Sequence, residues 1–177
     1  MVIDLTELEE RETPWQKQVE PEEIGLTYPD YEFAKLVHVD LRITRGETQY
    51  VIQGSISTVA KTQCVKCLEP FTLPVEEHIG WAVQVISNPA ARAREDDSED
   101  FWFIEKGTAQ LDITSRVREA ILINLPNHPK CVEDCRGLCP RCGANLNEGA
   151  CACRGETTDS RWGPLKDILD KRAGSSE

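Results

Sequence analysis

The chain has 177 residues, 40% of them hydrophobic, and a formal net charge of −11 at pH 7. That length suits one domain, or one domain with a small appendage, and is enough to bury a core without covalent help. No stretch approaches the roughly 20 apolar residues of a membrane-spanning helix, and the excess of acids argues against nonspecific capture of a phosphate backbone, which needs clustered Lys and Arg.

The first residues, MVIDLTELEERETPW, put acids where a secretion signal needs a basic and then an apolar region. A cytosolic protein with reduced thiols is therefore expected. Residues 2–5 are predicted to begin a short strand. Residues 6–32 are polar and broken by prolines, and read as an irregular arm with at most a short turn at PEEIG. Residues 1–32 hold ten acids against two bases, and residues 92–106 hold six against three. Residues 130–172, with eight bases and seven acids, are nearly neutral. Acidity confined to an arm and one loop suits a basic protein partner through complementary fields.

Three alternating runs follow. Val37, Val39, Leu41 and Ile43 share one face, with His38, Asp40 and Arg42 on the other. TRGE is a turn, after which Tyr50, Ile52, Gly54 and Ile56 complete an antiparallel hairpin. The third run alternates Leu73, Val75, Ile79, Trp81, Val83 and Val85 with polar residues, and Glu77 interrupts its apolar face. KTQCVKCLEPF lies on the connection between the second and third runs. Residues 87–100 have a loop composition, and FWFIEKG is predicted to be another strand. LDITSRVREAILINLP reads as a helix over about 112–125, capped by Asp112 and stopped by Pro126. Its stripe is Ile113, Val117, Ala120, Ile121 and Leu125. A short helix is expected from Pro164 to Lys171.

The eight cysteines form four local pairs: Cys64/Cys67, Cys131/Cys135, Cys139/Cys142 and Cys151/Cys153. Zinc takes four thiolates in a tetrahedron, so four pairs predict two structural zinc sites. In CPRCG, Pro140 stiffens the turn and Gly143 is free to take a positive φ, which lets backbone N–H groups point at the sulfurs. Cys139/Cys142 and Cys151/Cys153 are only eight residues apart, a small closure cost, so they are grouped as one knuckle. Cys64/Cys67 is then left with Cys131/Cys135, although spacing alone leaves swapped pairings open. A closed four-cysteine site offers no position for water or substrate, which argues against a catalytic metal.

Other chemistries fit less well. Cys64 and Cys67 have redox spacing, with Lys66 beside them, but no thioredoxin-like βαβ pattern surrounds them. Iron–sulfur spacings do not match, and a zinc deaminase needs an H-x-E that is absent. His38 and His78 fall on polar strand faces, and His128 lies near Cys131. No catalytic triad or nucleotide-binding motif is present, so no enzyme is expected.

EPEEIGL, GSISTVAKTQCVKCLEPF, LDITSRVREAILINLP, CRGLCPRCGANLN with CAC, and DSRWGPLKDIL occur in an order that resembles the YceD family, the large ribosomal RNA subunit accumulation proteins. The likeness spans residues 20–172. It departs from the family pattern at Ala120 and Asn124, while Glu119 keeps the acidic pattern. The resemblance implies a non-enzymatic factor for normal levels of large-subunit rRNA. In that family the gene often adjoins that of a small basic ribosomal protein, and some members lack the GLCPRCG segment.

The expected fold is α+β: an antiparallel β-sheet or partial barrel with a packed helix, a C-terminal zinc knuckle and a short C-terminal helix. Residues 1–130 are expected to form the mainly β part, and residues 131–177 a cysteine-rich part packed on it. The expected partner is a pre-ribosomal large subunit, rRNA or a basic ribosomal protein. Lys130, Arg136, Arg141 and Arg154 are the candidate phosphate contacts. A thiol-based redox or zinc-responsive interaction module is the alternative.

Overall fold

In the computed structural model, residues 1–8, 12–87, 102–153, 160–163 and 165 are described. The chain separates into two compact units, Met1–Cys135 and Arg136–Glu177. The three alternating runs become the centre of the first unit: β4 (Val37–Arg45), β5 (Gln49–Gln63) and β6 (Pro70–Ile86) form an antiparallel meander. Val37, Leu41, Ile43 and Ile52 are fully buried on its inner face, each worth roughly 2 kcal/mol of burial. Strand β5 outlasts its apolar run because Thr58, Ala60 and Thr62 continue the inner face. Both threonine hydroxyls are satisfied there. Thr58 donates to the Lys35 carbonyl at 3.2 Å and Thr62 to the Asp30 carbonyl at 2.7 Å.

The short β1 (Val2–Asp4) is present as expected. The irregular arm is not. Residues Glu12–Val19 form β2, which pairs antiparallel with β4 from Glu12 opposite Thr44 to Val19 opposite Val37. Only Val19 is buried, so the run has no hydrophobic alternation. As an edge strand it tolerates charge and Pro14. PEEI is a single 3-10 turn, closed by Gly25 at φ 62°. Two residues, Glu32–Phe33, form β3 against β5.

FWFIEKG supplies β7 (Trp102–Glu105), but it runs parallel to β6. The sheet order is β2-β4-β5-β6-β7. The sheet is therefore mixed, and its two ends do not pair among the described residues. The expected antiparallel sheet is thus present with one parallel edge strand added, and the partial-barrel alternative is corrected. Trp81 and Trp102 meet edge to face at 6.1 Å, and the Arg116 guanidinium lies over Trp102 at 5.6 Å.

The predicted helix starts later than its sequence suggests. Gln110–Asp112 forms β8, which pairs antiparallel with β1, and α1 spans Thr114–Ile123. Ile113, Val117, Ile121 and Leu125 are buried as the stripe requires, and α1 packs against β5 and β6. Asp112 caps from just outside the helix. Its Oδ1 accepts from the Thr114 hydroxyl at 2.5 Å and the Thr114 N–H at 2.9 Å. These bonds hold its carboxyl below the ordinary value of 3.8. A depressed carboxylate stabilises the fold above its unfolded pKa, and the contribution is lost as pH falls through the folded value. Asp112→Ala is expected to cost no more than about 1 kcal/mol near neutrality, since the side chain is 67% exposed and screened. The difference from the parent in urea unfolding should shrink between pH 5 and pH 3, and a constant difference would contradict this account.

In the second unit, a 3-10 turn occupies Ser160–Trp162. Most of the expected Pro164–Lys171 helix and the 88–100 part of the acidic loop lie outside the described residues. No helix among the described residues is long and apolar enough to cross a membrane.

Candidate metal centres

The long β5–β6 hairpin ends in the six residues CVKCLE. Cys64 N–H donates to the Glu69 carbonyl at 3.0 Å, and Leu68 N–H returns to the Cys64 carbonyl at 2.8 Å. Leu68 takes a left-handed conformation, φ 61°, to close this turn. The turn turns two thiols inward, with Cys64 at 0% and Cys67 at 3% exposure. The chain leaving α1 passes the same turn, where Val65 N–H donates to the Pro129 carbonyl at 2.9 Å. That contact delivers Cys131 and Cys135 to the dithiol.

The Cys64 and Cys135 sulfurs are 3.7 Å apart, and those of Cys67 and Cys131 are 3.6 Å apart. All four sulfurs lie within 4.8 Å of one another. A disulfide requires about 2.05 Å, whereas four thiolates at about 2.3 Å from a central zinc are roughly 3.8 Å apart. The spacing therefore fits a tetrahedral cation. Burial pushes the Cys64 thiol up, but the backbone N–H groups of Cys131, Cys67 and Lys66 outweigh it and bring it to about 6. Burial and the neighbouring thiols push Cys131 up to about 12. Without a cation, the cluster cannot ionise fully near neutrality. The Lys66 ammonium donates to the Cys135 carbonyl at 3.0 Å, so it has a binding role in the cluster's frame.

The second group lies wholly in the second unit: Cys139, Cys142, Cys151 and Cys153, their sulfurs also within 4.8 Å of one another. CPRCG folds as the knuckle its residues predict. Gly143 takes φ 73°, its N–H donates to the Cys139 carbonyl at 2.9 Å, and Cys139 N–H donates to the Ala144 carbonyl at 2.8 Å. Asn145 and Asn147 hold the loop that follows, with Arg136 N–H donating to Asn147 Oδ1 at 2.8 Å. Backbone N–H groups of Cys142 and Arg141 lower the Cys139 thiol to about 6. Cys153 is pushed up to about 12, chiefly by its contact with Cys142. This group is more open: Cys139 is buried, Cys142 exposed, and Cys151 and Cys153 are half-buried.

The structure thus brings together all eight sequence-predicted cysteines in the two expected groups. His38, His78 and His128 are exposed and belong to neither. Lys130, Arg136 and Arg141 are also exposed, with Glu133 and Asp134 among them in sequence, and Arg154 lies outside the described residues. Sequence reasoning missed the Pro129 carbonyl and the left-handed Leu68. Neither residue type signals its backbone role.

The profile described as large ribosomal RNA subunit accumulation protein YceD matches residues 52–169. The chain belongs to the YceD family. An uncharacterized protein of Mycobacterium tuberculosis is 28% identical over 84% of this chain and 70% of its own length. The large ribosomal RNA subunit accumulation protein YCED homolog 1, chloroplastic, of Arabidopsis thaliana is 26% identical over 80% of this chain and 51% of its own length. Its Zea mays namesake is 29% identical over 76% of this chain and 53% of its own length. No solved structure matches the chain.

Proposed function

We propose that this chain is a non-enzymatic accessory factor for large ribosomal subunit biogenesis, which supports rRNA accumulation by binding a precursor particle, its rRNA or a basic ribosomal protein. The family match across residues 52–169 carries this reading, and the names of the plant relatives agree with it. Two zinc ions hold the architecture. Cys64, Cys67, Cys131 and Cys135 hold one, and Cys139, Cys142, Cys151 and Cys153 the other. Four thiolates satisfy a tetrahedral cation completely, so each ion supplies cross-linking and no Lewis-acid position. The cytosol is the proposed compartment, where thiols stay available for metal.

Sucrose-gradient sedimentation with immunodetection tests the reading. The protein is expected in fractions holding large-subunit precursors, and its deletion is expected to lower the large-subunit rRNA. A protein confined to the free pool, with unchanged rRNA on deletion, would refute it. Direct RNA contact through Lys130, Arg136 and Arg141 predicts a gel shift with rRNA fragments that weakens steeply with salt. A shift insensitive to salt, or none, removes the RNA arm and leaves the protein arm.

A further inference from the structure

Strand β6 is far longer than its neighbour on one side. It pairs with β5 from Pro70 to Gln84, but β7 covers only Val83–Ile86. Among the described residues, no strand pairs with that side of β6 from Pro70 to Ala82. Two hydrogen bonds fix which backbone groups face outward. Val85 N–H donates toward β5, to the Thr48 carbonyl, and the Ile86 carbonyl accepts from Lys106 N–H on the β7 side. In an antiparallel strand each residue's N–H and C=O point the same way. Odd-numbered residues of β6 therefore bond to β5, and even-numbered residues turn theirs to the open edge. Pro70 and Pro74 obey this rule, since a proline has no N–H for the ladder. They also blunt the edge near the cysteine turn. What remains is a short open ladder made by Glu76, His78, Gly80 and Ala82.

The side chains beside this ladder describe what would pair with it. On the inner face, Leu73 and Trp81 are only half-buried although they pack on the core. Between them, Glu77 is half-buried opposite Ile56 and makes no hydrogen bond or ion pair among the described residues. Glu76 is exposed on the other face. A second strand here would cover apolar surface on one face and meet carboxylates on both.

We propose that the Glu76–Ala82 edge of β6 is a strand-addition site for an extended basic segment of a partner protein, with apolar residues toward Leu73 and Trp81 and a Lys or Arg opposite Glu77. It rests on the protein-partner arm of the proposed function. Main-chain bonds supply the affinity, and the carboxylates select the charge.

The test uses the full-length, metal-loaded protein and an acetylated, amidated peptide, KVKVKKKVKVK. Binding is expected to slow amide exchange at Glu76, His78, Gly80 and Ala82 at least ten-fold. The acidic counterpart EVEVEEEVEVE and a peptide N-methylated at alternate residues should bind at least ten-fold more weakly. His78→Pro should abolish binding while leaving melting and metal content unchanged, because Pro74 already occupies an equivalent outward position. Glu77→Gln should weaken binding about five-fold. Equal binding of the acidic peptide, or unchanged binding by the His78→Pro variant, overturns the proposal. So does slow exchange at these four amides in the peptide-free protein, whether its own chain or a second copy covers the edge. If the His78→Pro variant still sediments with large-subunit precursors and restores rRNA in a deletion strain, the edge is not the docking site and the proposed function stands. If the parent protein never sediments with them, the proposed function fails and the peptide result alone decides the edge.

Discussion

Replacing Cys64 by serine is expected to remove one metal equivalent per chain and to lower the melting temperature by about 10 °C. Cys64 is fully buried, and its cluster joins residues 71 and 64 positions apart along the chain. A cross-link over that length removes about 4 kcal/mol of unfolded-chain entropy. For a protein of this size each kcal/mol shifts melting by roughly 2–4 °C. Cys142→Ser should also release one equivalent. Cys142 is exposed and its group is local to the second unit, so the main transition should move by less than about 0.5 kcal/mol. Native mass spectrometry counts the metal, and calorimetry reads the transitions. Equal thermal losses in the two variants would contradict the unequal roles assigned to the clusters.

Gly54→Ala is expected to be nearly as damaging, for a reason unrelated to metal. A Cβ at Gly54 would lie 2.0 Å from the Asp40 carbonyl oxygen and 2.9 Å from Leu41 Cα. These are backbone atoms of the adjoining strand, so no rotamer change relieves the contact. Opening the β4–β5 ladder at its centre should cost about 3 kcal/mol or more. Gly80→Ala is the matched control, because nothing lies within 4 Å of its Cβ position. It should be neutral or mildly stabilising, as it restricts the unfolded chain. Denaturant unfolding of both variants decides, and a Gly54→Ala protein as stable as its parent would exclude the close approach.

What the sequence made legible follows from where apolar residues repeat. Val37 to Ile43 bury every second residue, Leu73 to Val85 bury or half-bury every second residue, and their strands stand where the alternation puts them. Edge strand β2 buries Val19 alone, so burial left no imprint on its composition. The parallel course of β7 and the strand at Gln110–Asp112, just before the helix, depend on which distant segment pairs with them, which local periodicity does not encode. Cysteine pairing was legible because spacing limits which thiols meet cheaply. The contact that delivers the distant pair, Val65 to Pro129, uses backbone atoms alone.

The two clusters also keep different time during synthesis. Cys67 leaves the ribosome 64 residues ahead of Cys131, an interval of roughly 3 to 13 s at about 5–20 residues per second. Through that interval the nascent chain displays a dithiol whose native partners have not been made. It is open to the wrong metal or to oxidation until the chain beyond α1 supplies Cys131 and Cys135. The later group gathers its four thiols from a short stretch of chain, so its own exposure is brief. Scarcity of metal or an oxidising burst would thus injure the half-made molecule at Cys64 and Cys67, the pair that the finished protein shields best.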